Sequence, residues 1–138
     1  MAIIKVEVEI NASVDKVWSI VSDIDNEPKF WKGTKQVKNL SKEKDIITRE
    51  ITIAFRDQKC LQKVKLEPKK RIKVKFIKGI INGEKIISIS PNQEKTILQT
   101  VWDIKLTGMM GMFTGMIKNH IKSGTEQAMQ SIKEKIER

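Results

Sequence analysis

Two side chains in this 138-residue sequence could polarise a carbonyl or move a proton: Arg49 and His120. In the segment from Ile47 to Phe55, a period of two puts Arg49 on the same side as Ile47, Ile51, Ile53 and Phe55. A guanidinium among apolar side chains is costly unless it reaches water, a carboxylate or a polar ligand group. Arg49 is therefore read either as an edge or ion-paired structural residue or as a ligand contact. Gln62, which alternates with Cys60, Val64 and Leu66, poses the same choice: it orients a carbonyl or hydroxyl in a pocket, or it is satisfied within the core. His120 falls on the flank of a C-terminal helical segment beside Met116 and Ile117, either as a boundary histidine bonded to a carbonyl or water or as an acid–base group. Arg49 and His120 are the weak catalytic candidates.

Other chemistries lack their residues. One His and one Cys, sixty positions apart, do not make a metal site, so no metal and no cofactor is expected. Neither Ser123 nor Ser131 is flanked by the glycines of a nucleophile elbow. Gly108, Gly111 and Gly115 precede or enter a helix, but Met109, Met110, Met112 and Phe113 among them suit hydrocarbon rather than a phosphate. This Met- and Gly-rich stretch is read as a flexible gate or as an ordinary helix start packed closely on a sheet, since each glycine weakens a helix by about 1 kcal/mol relative to alanine.

The elements that must position these residues are legible from periodicity. Ile4 to Ile10 alternates apolar and charged side chains as a half-buried strand, and Ser13 caps a helix carrying Val14, Trp18 and Val21 on one face. Trp18 is expected in the core. Pro28 opens a second short helix that carries Phe30 and Trp31 and stops at Gly33. Strands are expected around 34 to 40, from Ile47 to Ile53, from Cys60 to Leu66, from Ile72 to Phe76, near 84 to 90 and from Thr96 to Leu106. Asn82-Gly83, Pro91-Asn92 and Pro68-Lys69-Lys70 are expected turns. From Met110 the period becomes helical, with Met110, Phe113, Ile117, Ile121, Gly124, Ala128 and Ile132 on one face.

The order strand, two short helices, six strands and a long helix resembles the START-like or Bet v 1-like (SRPBCC) superfamily, the polyketide cyclase, dehydrase and lipid-transport group. The residues that carry it are Val8-Glu9-Ile10-Asn11-Ala12-Ser13-Val14-Asp15-Lys16-Val17-Trp18 and Val21-Ser22-Asp23-Ile24-Asp25-Asn26-Glu27-Pro28-Lys29-Phe30-Trp31. The layout is most similar to the coenzyme Q-binding and polyketide-cyclase-like branches. The resemblance implies an α+β helix-grip fold, a seven-stranded antiparallel sheet curved around a long C-terminal helix, with two short helices after the first strand. It also implies a cavity between sheet and helix for a small hydrophobic molecule of lipid, quinone or polyketide type. The resembled cyclases commonly use a tyrosine in the pocket, and this sequence has none, which favours carriage over catalysis. The wall is expected from Ile51, Phe55, Val64 and Phe76 on the strands, Trp31 and Trp102, and Met110, Phe113, Met116, Ile117 and Ile121 on the helix. Arg49, Gln62 and His120 would orient the ligand. A cyclase or dehydratase acting through Arg49 or His120 is the alternative reading.

The net charge of +10 is unevenly spread: residues 1–27 carry −4 and residues 28–85 carry +12. Lys63 and Lys65, with Lys73 and Lys75 on the next strand, face away from Val64, Val74 and Phe76 and gather on an outer face. Such a face either keeps the protein solvated or meets an anionic membrane, a ribosome or an acidic protein. Without interleaved aromatics or a recognition helix, sequence-specific nucleic-acid binding is not expected. Residues 1–138 are read as one domain, with no linker, repeat or signal-peptide pattern. The single cysteine and the lack of a long apolar span point to the cytoplasm.

Overall fold

The structure, a computed structural model, describes residues 2–138, and the side chains of all but residues 109 and 110 among them. Strand β1 (Ala2–Ile10) leads into helix α1 (Val14–Val21) and a 3-10 turn (Ile24–Lys29). Strands β2 (Thr34–Glu43), β3 (Ile46–Ile53), β4 (Lys59–Glu67), β5 (Arg71–Lys78), β6 (Ile81–Asn92) and β7 (Lys95–Leu106) follow, and helix α2 (Thr114–Glu137) ends the chain. The described strands form one antiparallel seven-stranded sheet in the order β1-β7-β6-β5-β4-β3-β2. This is the expected α+β helix-grip architecture.

Period-two alternation gives the sheet its buried face. On β7, Leu98, Thr100, Trp102, Ile104 and Leu106 point inward, and Ile87 and Ile89 on β6, Ile72 and Val74 on β5 and Ile4 on β1 join them. Register breaks on β2 at Thr34/Gln36 and Asn39/Ser41, and at Leu61/Gln62 between β4 and β5, bend the sheet into a trough. Ser13 caps α1 by accepting from the Lys16 N–H at 3.2 Å, and Val17 and Val21 supply its buried positions while Trp18 packs against the core partly exposed.

Helix α2 holds the trough by its C-terminal half. Thr125, Ala128, Met129, Ile132 and Ile136 are buried, and the last turn is tied to the β1–α1 connection. There the Asn11 N–H and the Lys133 ammonium both donate to the Glu137 carboxylate, at 2.8 and 2.7 Å, and hold that carboxyl below its ordinary range. The N-terminal half stands off: Ile117 and Ile121 are half-buried and Met116 is 68% exposed, and Phe113, just before the helix, is 41% exposed.

Several local expectations are corrected. The helix begins at Thr114 instead of Met110, because residues 108–113 form a 3-10 turn. The Thr114 hydroxyl closes that turn, accepting from the Leu106 N–H at 3.2 Å and donating to the Gly111 carbonyl at 2.8 Å. Asn82-Gly83 is inside β6 and makes no turn. Gly83 lies opposite Ile104 with φ +127°, and a Cβ there would come within 2.1 Å of the Asp103 carbonyl oxygen. Its glycine serves close strand approach, and the reversal falls at residues 79–80. Pro91 and Asn92 likewise continue β6, and the turn is at Gln93-Glu94. Pro28 lies within the second short helix, so Phe30 and Trp31 follow it. Strand β3 ends at Ile53, which leaves Phe55 in a separate 3-10 turn.

The buried ion pair between this first 3-10 turn and β3 yields a prediction. Arg49 is 0% exposed, and its Nη2 donates to both Glu27 carboxylate oxygens at 3.1 and 2.9 Å. Glu27→Gln strands the guanidinium and should cost about 3–5 kcal/mol in urea unfolding, whereas Glu27→Gln with Arg49→Met should recover most of that loss. A double variant no more stable than the single one would show that the pair's charges are not what couples these residues.

Candidate functional site

The lifted N-terminal half of α2 leaves a cavity of about 440 Å³ over β3 to β7, within the range of about 300–1,000 Å³ usual for small-molecule sites. Aromatic rings build its inner wall. Trp102 stacks on Phe76 with centroids 6.1 Å apart at 24°, and meets Trp31 edge-on at 6.2 Å and 64°. The Trp102 indole N–H donates to Thr125 Oγ1 at 3.0 Å, and Thr125 in turn donates to the Ile121 carbonyl at 2.7 Å, which pins the ring to α2.

Of the residues expected at the site, Trp31, Ile51, Phe55, Gln62, Phe76, Trp102, His120 and Ile121 line this cavity. Phe55 does so from its 3-10 turn, and His120 does so as an exposed residue on the rim. Val64 is wholly buried in the core, Phe113 and Met116 turn outward, and Ile117 packs against the core; none of these lines the cavity. Met110 lies outside the residues whose side chains are described. Arg49 lies behind the wall, its Nε donating to Gln62 Oε1 at 2.8 Å and its Nη1 to the Ile24 carbonyl at 3.4 Å. With its carbonyl oxygen so occupied, Gln62 has its amide N–H groups to offer a guest.

One charged residue of the cavity wall is not among those the sequence led us to expect. Lys85 is 3% exposed, and its Nζ lies 4.2 Å from the Trp31 ring centroid and 4.8 Å from that of Trp102. The signal was the one that singled out Arg49: Lys85 alternates with Ile81, Gly83, Ile87 and Ile89 on the inner face of β6. Burial drives its ammonium down to about 8 from lysine's ordinary 10.5, opposed by the Glu27 carboxylate and assisted by the Arg49 guanidinium. Thr34, Ile53, Ile81, Gly124 and Thr125 also line the cavity without having been expected there. Among the described residues no three His, Cys, Asp or Glu side chains gather as a metal site.

On the opposite face of the sheet, register places Lys63 directly across from Lys75 and Lys65 across from Lys73. Acidic neighbours temper this cluster: Asp45 approaches Lys65 at 3.8 Å, Glu67 approaches Lys73 at 3.4 Å, and Glu84 pairs with Lys75 across β5 and β6.

Fold and cavity together define a helix-grip protein with an apolar site under its long helix. The chain belongs to the polyketide cyclase / dehydrase and lipid transport family, whose model matches residues 1–137. It is similar to a protein of Thermus thermophilus, 13% identical, with a TM-score of 0.83 over 98% of this chain and 97% of the other. The Zhui aromatase/cyclase from a Streptomyces species superposes with a TM-score of 0.80 at 13% identity, over 99% and 94% of the two chains. A START superfamily protein from Mycobacterium smegmatis is 20% identical, with a TM-score of 0.68 over 94% and 98%. No curated protein matches the sequence significantly.

The buried lysine makes stability depend on pH with a definite sign. The unfolded chain holds the Lys85 proton up to about 10.5 and the folded chain only to about 8, so folding releases it between those values. The charge therefore destabilises the fold fully below pH 8, and the penalty is relieved as pH rises to 10.5; it corresponds to about 3 kcal/mol at most. Lys85→Met should be more stable than wild type at pH 7, and urea titrations should show the two converging towards pH 10.5. A variant less stable than wild type at pH 7 would mean that the ammonium is compensated in the fold.

Proposed function

We propose that the protein binds and carries a small, mainly apolar molecule in the cavity between the sheet and the N-terminal half of α2. The observation that carries this reading is the cavity itself, walled by Trp31, Ile51, Phe76, Trp102 and Ile121 and holding few polar groups. The family description, which joins cyclase and dehydrase chemistry with lipid transport, supports it. Gln62 and His120 orient the guest, and the outward-facing Phe113 and Met116 form an apolar lip beside the opening. A cyclase reaction would need an activating group free to reach the substrate. Arg49 is held by Glu27 and Gln62 behind the wall, which removes one of the two residues a cyclase reading would use and leaves His120 and Lys85 as the ionisable groups that line the cavity. We place the protein in the cytosol, where the free thiol of Cys60 stays reduced.

Gly124 offers a test that spares the fold. It lines the cavity on α2, and a Cβ added there meets nothing within 4 Å, so a larger side chain projects into the space that a ligand would occupy. Gly124→Leu should gain about 1 kcal/mol of helix propensity and lose saturable binding of an apolar fluorescent dye followed through tryptophan quenching. Undiminished dye binding by the folded variant would move the binding site elsewhere.

The paired lysines of β4 and β5 favour a second role for the outer face: a landing surface for anionic membranes, from which a carrier would load or unload. Replacing Lys63, Lys65, Lys73 and Lys75 by glutamine should abolish sedimentation with phosphatidylserine vesicles at low salt and leave dye binding intact, because alternate residues of a strand face opposite sides. Vesicle binding that persists in the fourfold variant, or that resists about 0.5 M salt when exposed charges are screened within about 5 Å, would refute this role.

A further inference from the structure

Lys85 is a buried cation whose partners are missing from its surroundings. Its ammonium can donate three hydrogen bonds, yet among the described residues it makes none, and no carboxylate lies within ion-pair distance. The acceptors around it are engaged. Both oxygens of Glu27 accept from Arg49, Gln62 Oε1 accepts from Arg49 Nε, and Thr125 Oγ1 accepts from Trp102. The Trp31 and Trp102 faces attract the cation through their quadrupoles but accept no full hydrogen bond. Charge counting agrees: Glu27 and Arg49 cancel, which leaves one positive charge at the inner wall of an otherwise apolar cavity. A buried charge without a counter-ion is expensive, and in this position a guest can supply both the counter-charge and the acceptors.

We infer that the cavity is built for an amphipathic organic anion, a singly charged carboxylate or ionised enol on a hydrocarbon or aromatic body, whose oxygen is bound by the Lys85 ammonium between Trp31 and Trp102. The inference rests on the cavity being the binding site, as proposed above, and names the class of molecule it takes. A single negative charge matches the single uncompensated cation, and the hydrogen bond between them is charge-assisted. The body of the guest then lies against Ile51, Phe76, Ile81 and Ile121, with His120 at the rim. The reading gives the lysine a role at a position where a methionine would pack at lower cost.

Decanoate and decanol, matched in chain length, separate head from tail. Isothermal titration at pH 7 should give wild type a preference for decanoate over decanol of about tenfold or more. Lys85→Met should erase the preference while binding decanol within about threefold of wild type, as expected if the tail contacts are untouched. Decanoate affinity should be level up to about pH 8, where burial has brought Lys85, and should then fall by up to about tenfold per pH unit; decanol affinity should stay flat. The charged groups that act on Lys85 are Glu27 and Arg49, His120 shares the cavity wall with it, and the inner faces of β5 and β7 present no ionisable side chain. Repeating the series in a His120→Gln background removes the imidazole as the source of the change. Equal binding of the two compounds by wild type, or a decanoate preference that survives Lys85→Met, would overturn the inference and leave the apolar site standing. Failure of both compounds to bind would overturn the inference together with the apolar-site reading on which it rests.

Discussion

The Arg49–Glu27 ion pair joins the segment between α1 and β2 to the middle of the sheet, and the site is assembled from that joint outward. Arg49 reaches from β3 to take both carboxylate oxygens of Glu27 and approaches the Ile24 carbonyl, while Gln62 on β4 steadies its Nε. The Trp31 N–H donates to the Glu27 carbonyl at 2.8 Å, so the carboxylate that Arg49 holds belongs to the residue that fixes Trp31. Trp31 then closes one side of the aromatic box, Trp102 closes the other, and Lys85 lies over both. Two cations and one carboxylate thus share the interior of a small protein, an arrangement that burial alone would oppose.

Helix α2 divides the labour along its length. Its C-terminal half buries Ala128, Met129, Ile132 and Ile136 against β1 and its neighbours, and Thr100 donates to the Met129 sulfur at 3.2 Å. Its N-terminal half turns His120, Ile121 and Gly124 to the cavity and is more exposed than the C-terminal half. At Gly124 the space is left open, since a Cβ added there meets nothing within 4 Å. Trp102 bridges the two regimes, stacked in the wall and hydrogen-bonded to Thr125 at the point where α2 begins to pack.

Much of this was legible in the sequence because the strands alternate cleanly and Ser13 is an unambiguous cap. The inward direction of Arg49 and Gln62 followed from the same alternation, although what they met could not. Glu27 lies in a turn without periodicity, so its pairing with a residue twenty-two positions away left no local trace. The inward direction of Lys85 is legible in the same way, since Ile81, Gly83, Lys85 and Ile87 alternate as clearly as Ile47, Arg49 and Ile51. Asn82-Gly83 misled because its dipeptide signal is that of a hairpin, while the glycine is required by the neighbouring backbone. Phe113 misled because a helical period was extended through a 3-10 turn, which rotates side chains by a different angle per residue.

The breaks in register on β2 have a bearing beyond the curvature they impose. An open sheet ends in two unpaired strands, and an unpaired strand is a template on which another chain can add. Strand β2 is exposed over most of its length, carries Lys35, Lys38 and Lys42, and is interrupted twice within ten residues. A second polypeptide could not hold continuous hydrogen-bond register along it and would bring its own charges against three ammonium groups. The same irregularity that curves the sheet over the cavity also makes this margin a poor seed for aggregation, so an open sheet need not close into a barrel to protect that edge.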